Sequence, residues 1–74
     1  MVKITNIKKE DDIISFEGLG DGKEKFFMKF NFITGENLEN TTNNSIYSSE
    51  AKFKILSYLV DHDKFPDELV AKSF

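Results

Sequence analysis

The chain has 74 residues, with ten lysines set against thirteen acids, a formal net charge of −3, and neither cysteine nor arginine. A domain this short hides only about 60% of the surface its unfolded form exposes, and the lack of cysteine removes disulfides and thiolate metal ligands as reinforcement. Net negative charge together with the missing arginine forks argues against general attraction to nucleic acid or anionic membrane, and against bidentate reading of bases.

Taken in chain order, Val2 to Lys8 ("VKITNIK") places Val2 and Ile4 two apart among β-branched neighbours, which suits a strand buried on one face. "KKEDD" supplies a turn, and Asp12 to Leu19 follows with Ile14 and Phe16 on one side and Ile13, Ser15 and Glu17 on the other. "LGDGK" is the strongest local signal, a hairpin turn through Gly20, Asp21 and Gly22. With Leu19 set opposite Lys23, Phe16 meets Phe26 and Ile14 meets Met28, so the apolar positions of both strands share a face; a two-residue Asp21-Gly22 loop would set Glu17 against Phe26.

The third strand, within "KEKFFMKFNFITGE", turns Phe26, Met28, Phe30 and Phe32 to the core and Phe27, Lys29, Asn31 and Ile33 to the other side. The segment 36–47 reads as a polar loop. A helix is expected from Ser48 or Ser49, with Glu50 in its first turn and Phe53, Leu56, Leu59 and Val60 packed on the sheet. Pro66 followed by acids ("PDEL") predicts a short second helix to about Lys72, with Asp67 and Glu68 complementing its first turn. The fold class is thus α+β in a single domain: a three-stranded antiparallel meander (1–35), a polar loop (36–47), and a helical segment (48–74) whose long helix crosses one sheet face.

Two regions stand out as candidate sites. The uncovered sheet face carries Ile13, Phe27, Lys29, Asn31 and Ile33, with Ile7 nearby, an apolar patch rimmed by lysine and asparagine of the kind that marks an interaction site. The C-terminal segment, through Phe65 and Phe74, is a candidate cover for part of it. Asp61, Asp63, Asp67 and Glu68 gather around the only histidine, His62, and form a candidate acidic patch.

That patch fails as a calcium loop, because the sixth and twelfth positions counted from Asp61 are Pro66 and Lys72 rather than glycine and a carboxylate. No metal and no cofactor is expected. "GLGDGK" resembles a glycine-rich phosphate loop in spacing, but it joins two strands and opens no helix. With no cysteine nucleophile and too little chain to enclose a substrate pocket, the sequence points away from catalysis and away from an enzyme.

The expected function is a small accessory or interaction protein that binds another protein, or a second copy of itself as a homodimer, through the open sheet face. One alternative is binding of single-stranded nucleic acid, with Phe27 as a stacking platform and Lys25 and Lys29 on phosphates. Another is an acidic inhibitor or adaptor that presents the Asp61 to Glu68 junction to a basic partner. "MVKITNIKKEDD" lacks the apolar run of a secretory signal, and no stretch approaches a membrane span, so a cytoplasmic location is expected.

Overall fold

A computed structural model describes residues 1–72. It is an α+β fold with one five-stranded antiparallel sheet and one helix. In chain order the elements are β1 (Val2–Glu10), β2 (Ile13–Gly20), β3 (Glu24–Asn31), β4 (Asn37–Asn40), α1 (Ser45–Asp61) and β5 (Glu68–Ala71). The strands lie side by side in the order β4-β3-β2-β1-β5. The three expected strands therefore form the centre of a wider sheet. The helix runs along one face, closest to β5 and β1.

The core is built by alternation. Val2 and Ile4 of β1, Ile14 and Phe16 of β2, Phe26, Met28 and Phe30 of β3, and Leu69 and Ala71 of β5 are all buried on the helix side. Burying each such large side chain contributes about 1.5–3 kcal/mol, and the phenylalanines of β2 and β3 hold most of the volume.

The hairpin between β2 and β3 differs from the sequence pairing by two residues. Phe16 lies opposite Met28, Ile14 opposite Phe30, Gly18 opposite Phe26 and Gly20 opposite Glu24. Asp21 and Gly22 both take positive φ, 50° and 71°, and the Lys23 amide donates to the Gly20 carbonyl across 2.9 Å. A two-residue displacement keeps every side chain on its face. The physical reason for it is the Phe26 ring, which lies over Gly18, where a Cβ would come within 2.3 Å of the ring carbon Cζ.

Three further expectations are corrected. The segment from Glu68 to Ala71 is strand, not helix: Val2 pairs with Ala71 and Ile4 with Leu69. A helix of six or seven residues is marginal on its own, whereas this strand covers the edge of β1 and adds Leu69 and Ala71 to the core. The polar loop contains β4, whose residues are all exposed; it is held to β3 by backbone bonds, by the Phe27 amide donating to Thr41 Oγ1 (2.8 Å), and by Lys52 Nζ donating to Asn37 Oδ1 (2.9 Å). No apolar alternation announces it.

Finally, α1 starts a turn earlier than Ser48 or Ser49, at Ser45, and Asn44 is its cap, accepting from the amides of Ile46 (3.0 Å) and Tyr47 (3.3 Å). The buried face of α1 is Ser48, Ala51 and Ile55, so Phe53 and Val60, expected in the core, are 74% and 80% exposed. Ile55 is fully buried beside the small Ser48 and Ala51, and Leu56 and Leu59 pack against the core as expected, whereas Phe53 and Val60 fall on the far side of the helix.

Two pairs of substitutions test this account. Gly18→Ala is expected to lower stability by about 1–3 kcal/mol in urea unfolding by overpacking against Phe26, and adding Phe26→Leu is expected to recover part of the loss. Asn44→Ala is expected to cost about 1 kcal/mol, while Ser49→Ala stays within about 0.5 kcal/mol of the parent.

Candidate interaction face

The side of the sheet away from α1 is open, and the strand register sets its side chains in rows. One row runs Val70, Lys3, Leu19, Lys25, and the next runs Glu68, Thr5, Glu17, Phe27. A third runs Lys8, Ser15, Lys29, Glu39, and a fourth Glu10, Ile13, Asn31. Half-buried apolar side chains (Val70, Leu19, Phe27, Ile13) are thus set among charges of both signs. Lys3 and Glu68 form an exposed ion pair at 3.2 Å, and the Asn6 amide binds the Glu17 carboxylate.

The face owes its composition to a bulge in β1. The register shifts between Thr5 and Lys8, where Asn6 takes φ 50°, a left-handed conformation that asparagine tolerates better than most residues. Beyond that point the alternation of β1 is inverted, as an extra residue requires. Ile7, expected on the open face, packs on the core instead, and Lys9 lies over the Phe32 ring with its Nζ 5.1 Å from the centroid.

Of the sequence candidates for this face, Ile13, Phe27 and Lys29 come together, lining one shallow depression of about 160 Å³ with Lys8, Glu10 and Ser15. Asn31 lies at the end of β3, and its side-chain oxygen accepts from the amides of Ile33 (2.8 Å) and Thr34 (3.0 Å), which caps the turn that follows. Ile33 sits in that turn, 66% exposed, outside the depression. Leu19 completes the apolar set from a second depression of about 290 Å³ with Lys3, Thr5, Glu17 and Lys25. Leu19 was legible as an odd-numbered position of β2, whereas Val70 was not, because its strand was read as helix.

Among the described residues, the C-terminal segment does not cover this face. Phe65 stacks on Tyr58 at 5.8 Å between centroids and packs against the core from the helix side. Phe74 lies outside the described residues. Lys25 and Lys29 do flank Phe27 on one face, but Glu17 and Glu39 alternate with them.

The acidic candidates are dispersed. Asp61 ends α1, Asp63 lines a depression beside His62 and Leu59, Asp67 sits in the bend before β5, and Glu68 is drawn into β5. With no second helix in this segment, Asp67 and Glu68 have no helix start to complement. His62 stacks on Tyr58 at 3.8 Å, with Nδ1 3.0 Å from the Tyr58 carbonyl oxygen; since that oxygen only accepts, the contact places the ring proton on Nδ1. Among the described residues, no group of three or more His, Asp or Glu side chains is arranged to hold a metal ion, and no helix is long and apolar enough to cross a membrane.

On the opposite side, a concavity of about 1050 Å³ lies between α1 and the outer margin of β5. At its end the N-terminal ammonium of Met1 donates to Asp21 Oδ1 and the Tyr47 hydroxyl to Asp21 Oδ2, both at 2.7 Å. These bonds hold the Asp21 carboxyl below its ordinary range, the ammonium hydrogen bond being the larger cause. The same carboxylate raises the Met1 amine and the Tyr47 hydroxyl above theirs.

Comparison with protein-family models, with curated proteins and with solved structures finds no match for this chain.

The Asp21 cluster has a pH signature. Because the folded value of Asp21 is lowered, its contribution to stability is present above the unfolded value of about 3.9 and is lost as pH falls through the folded one. Because the Met1 amine is raised, its contribution is complete below the unfolded value of about 8 and is lost as pH rises through the folded one. The melting-temperature difference between the parent and Asp21→Asn is therefore expected to be level from about pH 5 to 7 and to shrink on both sides.

Proposed function

We propose that this chain is a non-catalytic interaction module that binds another protein through the open face of its sheet. The observation that carries the reading is the grouping of Ile13, Phe27 and Lys29 around one depression on a face that no element among the described residues covers, with Leu19 beside it. Apolar islands set among charges suit a protein surface, where the islands supply buried contact area and the charges supply register and selectivity.

The balance of charge directs the reading toward protein rather than nucleic acid. Lys3, Lys8, Lys25 and Lys29 on this face are matched by Glu10, Glu17, Glu39 and Glu68, whereas a strand-binding groove is positive along its length. Phe27 is also its sole aromatic ring among the described residues, so successive bases would have one platform. The acidic junction carries less, because its four carboxylates do not converge.

The test is a partner screen by cross-linking in a lysate of the source cells, repeated with variants. A partner of the open face is lost with Phe27→Ser plus Ile13→Ser and kept with Asp63→Lys plus Asp67→Lys; the reverse pattern would transfer the site to the junction and sink this reading. Both pairs change exposed or half-buried positions, so folding is checked by circular dichroism. A labelled thymidine oligonucleotide at low salt is expected to show no binding, and salt-sensitive binding abolished by Lys25→Glu plus Lys29→Glu would favour nucleic acid instead.

A further inference from the structure

The two edges of the sheet are unlike. The outer strand β4 has only exposed residues, Glu39 among them, and its pairing with β3 is irregular between Lys29 and Phe30, features that discourage a further strand. At the other edge β5 carries the apolar run Leu69, Val70, Ala71, with neither charge nor proline inside it. Leu69 and Ala71 are buried in the core and hold the strand in place. Among the described residues, no strand pairs with its outer side.

The hydrogen-bond pattern fixes which groups this edge presents. The Asp21 amide donates to the Met1 carbonyl across 2.7 Å, so Met1, and by alternation Lys3 and Thr5, bond toward β2, while Val2 and Ile4 turn toward β5. Their partners Ala71 and Leu69 face inward. Glu68 and Val70 therefore send N–H and C=O outward, in the extended geometry that another strand matches.

The side chains say which strand that is. A second β5 laid antiparallel with Val70 opposite Val70 sets Glu68 of each copy opposite Lys72 of the other, and Leu69 opposite Ala71. All these pairs share their faces, and every one occurs twice or lies on the axis, the self-complementarity that a two-fold contact requires. The nearest other registers that keep the faces lose it. In one, Lys72 stands opposite Pro66, which has no N–H to give; in the other, Val70 stands opposite Lys72. A parallel two-fold pair is in register with itself and sets Glu68 beside Glu68 and Lys72 beside Lys72. In the antiparallel pair those like charges are four residues apart, about 14 Å along the strands. Glu68 already holds Lys3 at 3.2 Å, so its carboxylate comes to lie between two lysines.

The rest of the fold leaves room. The concavity between α1 and the outer margin of β5 keeps that edge accessible. With strands about 4.8 Å apart, helices standing over β1 and β5 of two such copies lie about 10 Å from each other, the spacing at which helices pack. We propose that β5 pairs with β5 of a second copy of this chain, antiparallel and centred on Val70, joining two five-stranded sheets into one. The two-fold axis stands perpendicular to the joined sheet, so both open faces lie on the same side.

By light scattering across a hundredfold concentration range, the parent is expected to rise from monomer to dimer mass. Val70→Pro is expected to abolish the dimer and keep the monomer's circular dichroism, because the N–H it removes faces outward, where an edge strand tolerates proline. Val70→Glu, which opposes two carboxylates at the axis, is expected to weaken it at least about tenfold. Lys72→Glu weakens it, and adding Glu68→Lys restores it.

The absence of cysteine makes the register directly readable. Val70→Cys is expected to form a disulfide-linked dimer under mild oxidation, since opposed Cα atoms in a bonded pair lie about 5.5 Å apart. Glu68→Cys and Lys72→Cys are expected to link when mixed, and neither with itself; self-linking of both marks a parallel pair and overturns the arrangement. A parent that stays at 8.5 kDa throughout, or a dimer that survives Val70→Pro or Val70→Glu, overturns the proposal. Capture of a foreign chain by Val70→Cys without any homodimer assigns the edge to another partner and overturns it as well. Phe27→Ser plus Ile13→Ser leaves this dimer intact, so the open-face reading and the edge inference stand or fall separately.

Discussion

The structure depends on one packing constraint, the close approach of α1 to a sheet face already filled by Phe16, Phe26 and Phe30. Three aromatic side chains from two neighbouring strands fill much of the depth above the sheet, and α1 meets them with the small Ser48 and Ala51 together with the fully buried Ile55. Gly18 makes room in the same layer for the Phe26 ring, and Gly20 lies beneath the Tyr47 ring. Phe16 and Phe26 meet edge to face, with ring centroids 6.1 Å apart, an arrangement favoured by the charge distribution of aromatic rings. In a chain this short no second layer compensates for a fault in this one.

The same constraint decides which residues are left outside. Since the helix turns Ser48, Ala51 and Ile55 to the core, with Leu56 and Leu59 packed at its margin, Ile46, Phe53 and Val60 on the opposite side point to solvent. Since β2 and β3 commit their even-numbered positions to the core, the odd-numbered ones form an open face with half-buried apolar residues in a charged surround. The two surfaces lie on opposite sides of the molecule, so occupation of one leaves the other accessible.

How much of this was legible in the sequence follows from where a periodic signal exists. Apolar residues at every even-numbered position of "DIISF" and "KFFMKF" from Ile14 onward mark β2 and β3 and their buried faces, and "LGDGK" marks the turn between them. The exact pairing was missed because alternation is unchanged by a slip of two, and the ring over Gly18 that breaks the tie is a contact between strands. The apolar spacing of α1 places Leu56 and Leu59 against the core but misplaces Phe53 and Val60, because spacing alone does not decide which apolar arc faces the sheet. Asn44 carries no signal that sets it apart as a cap, being one of several polar residues in a row.

On the open face, Ile13, Phe27 and Lys29 were legible because they follow the same alternation. Ile7 was not, because the bulge at Asn6 inverts the pattern without a glycine to announce it. β4 and β5 were invisible for a different reason. The first has no apolar period, and the second has four residues whose local composition fits a helix start and whose strand form is selected by the unpaired edge of β1.

That last pairing has a consequence for how the chain is made. β1 is synthesised before β5, and its outer edge from Val2 to Thr5 is paired by residues 68–71, which emerge about sixty residues later and must still find it. Until then β1 offers a nine-residue strand with one unpaired side, a template for other nascent chains. Lys3, Lys8, Lys9 and Glu10 along that strand discourage such pairing by charge, and the polar bulge at Asn6 interrupts it. The features that shape the open face of the finished molecule thus also protect the unfinished one on the ribosome.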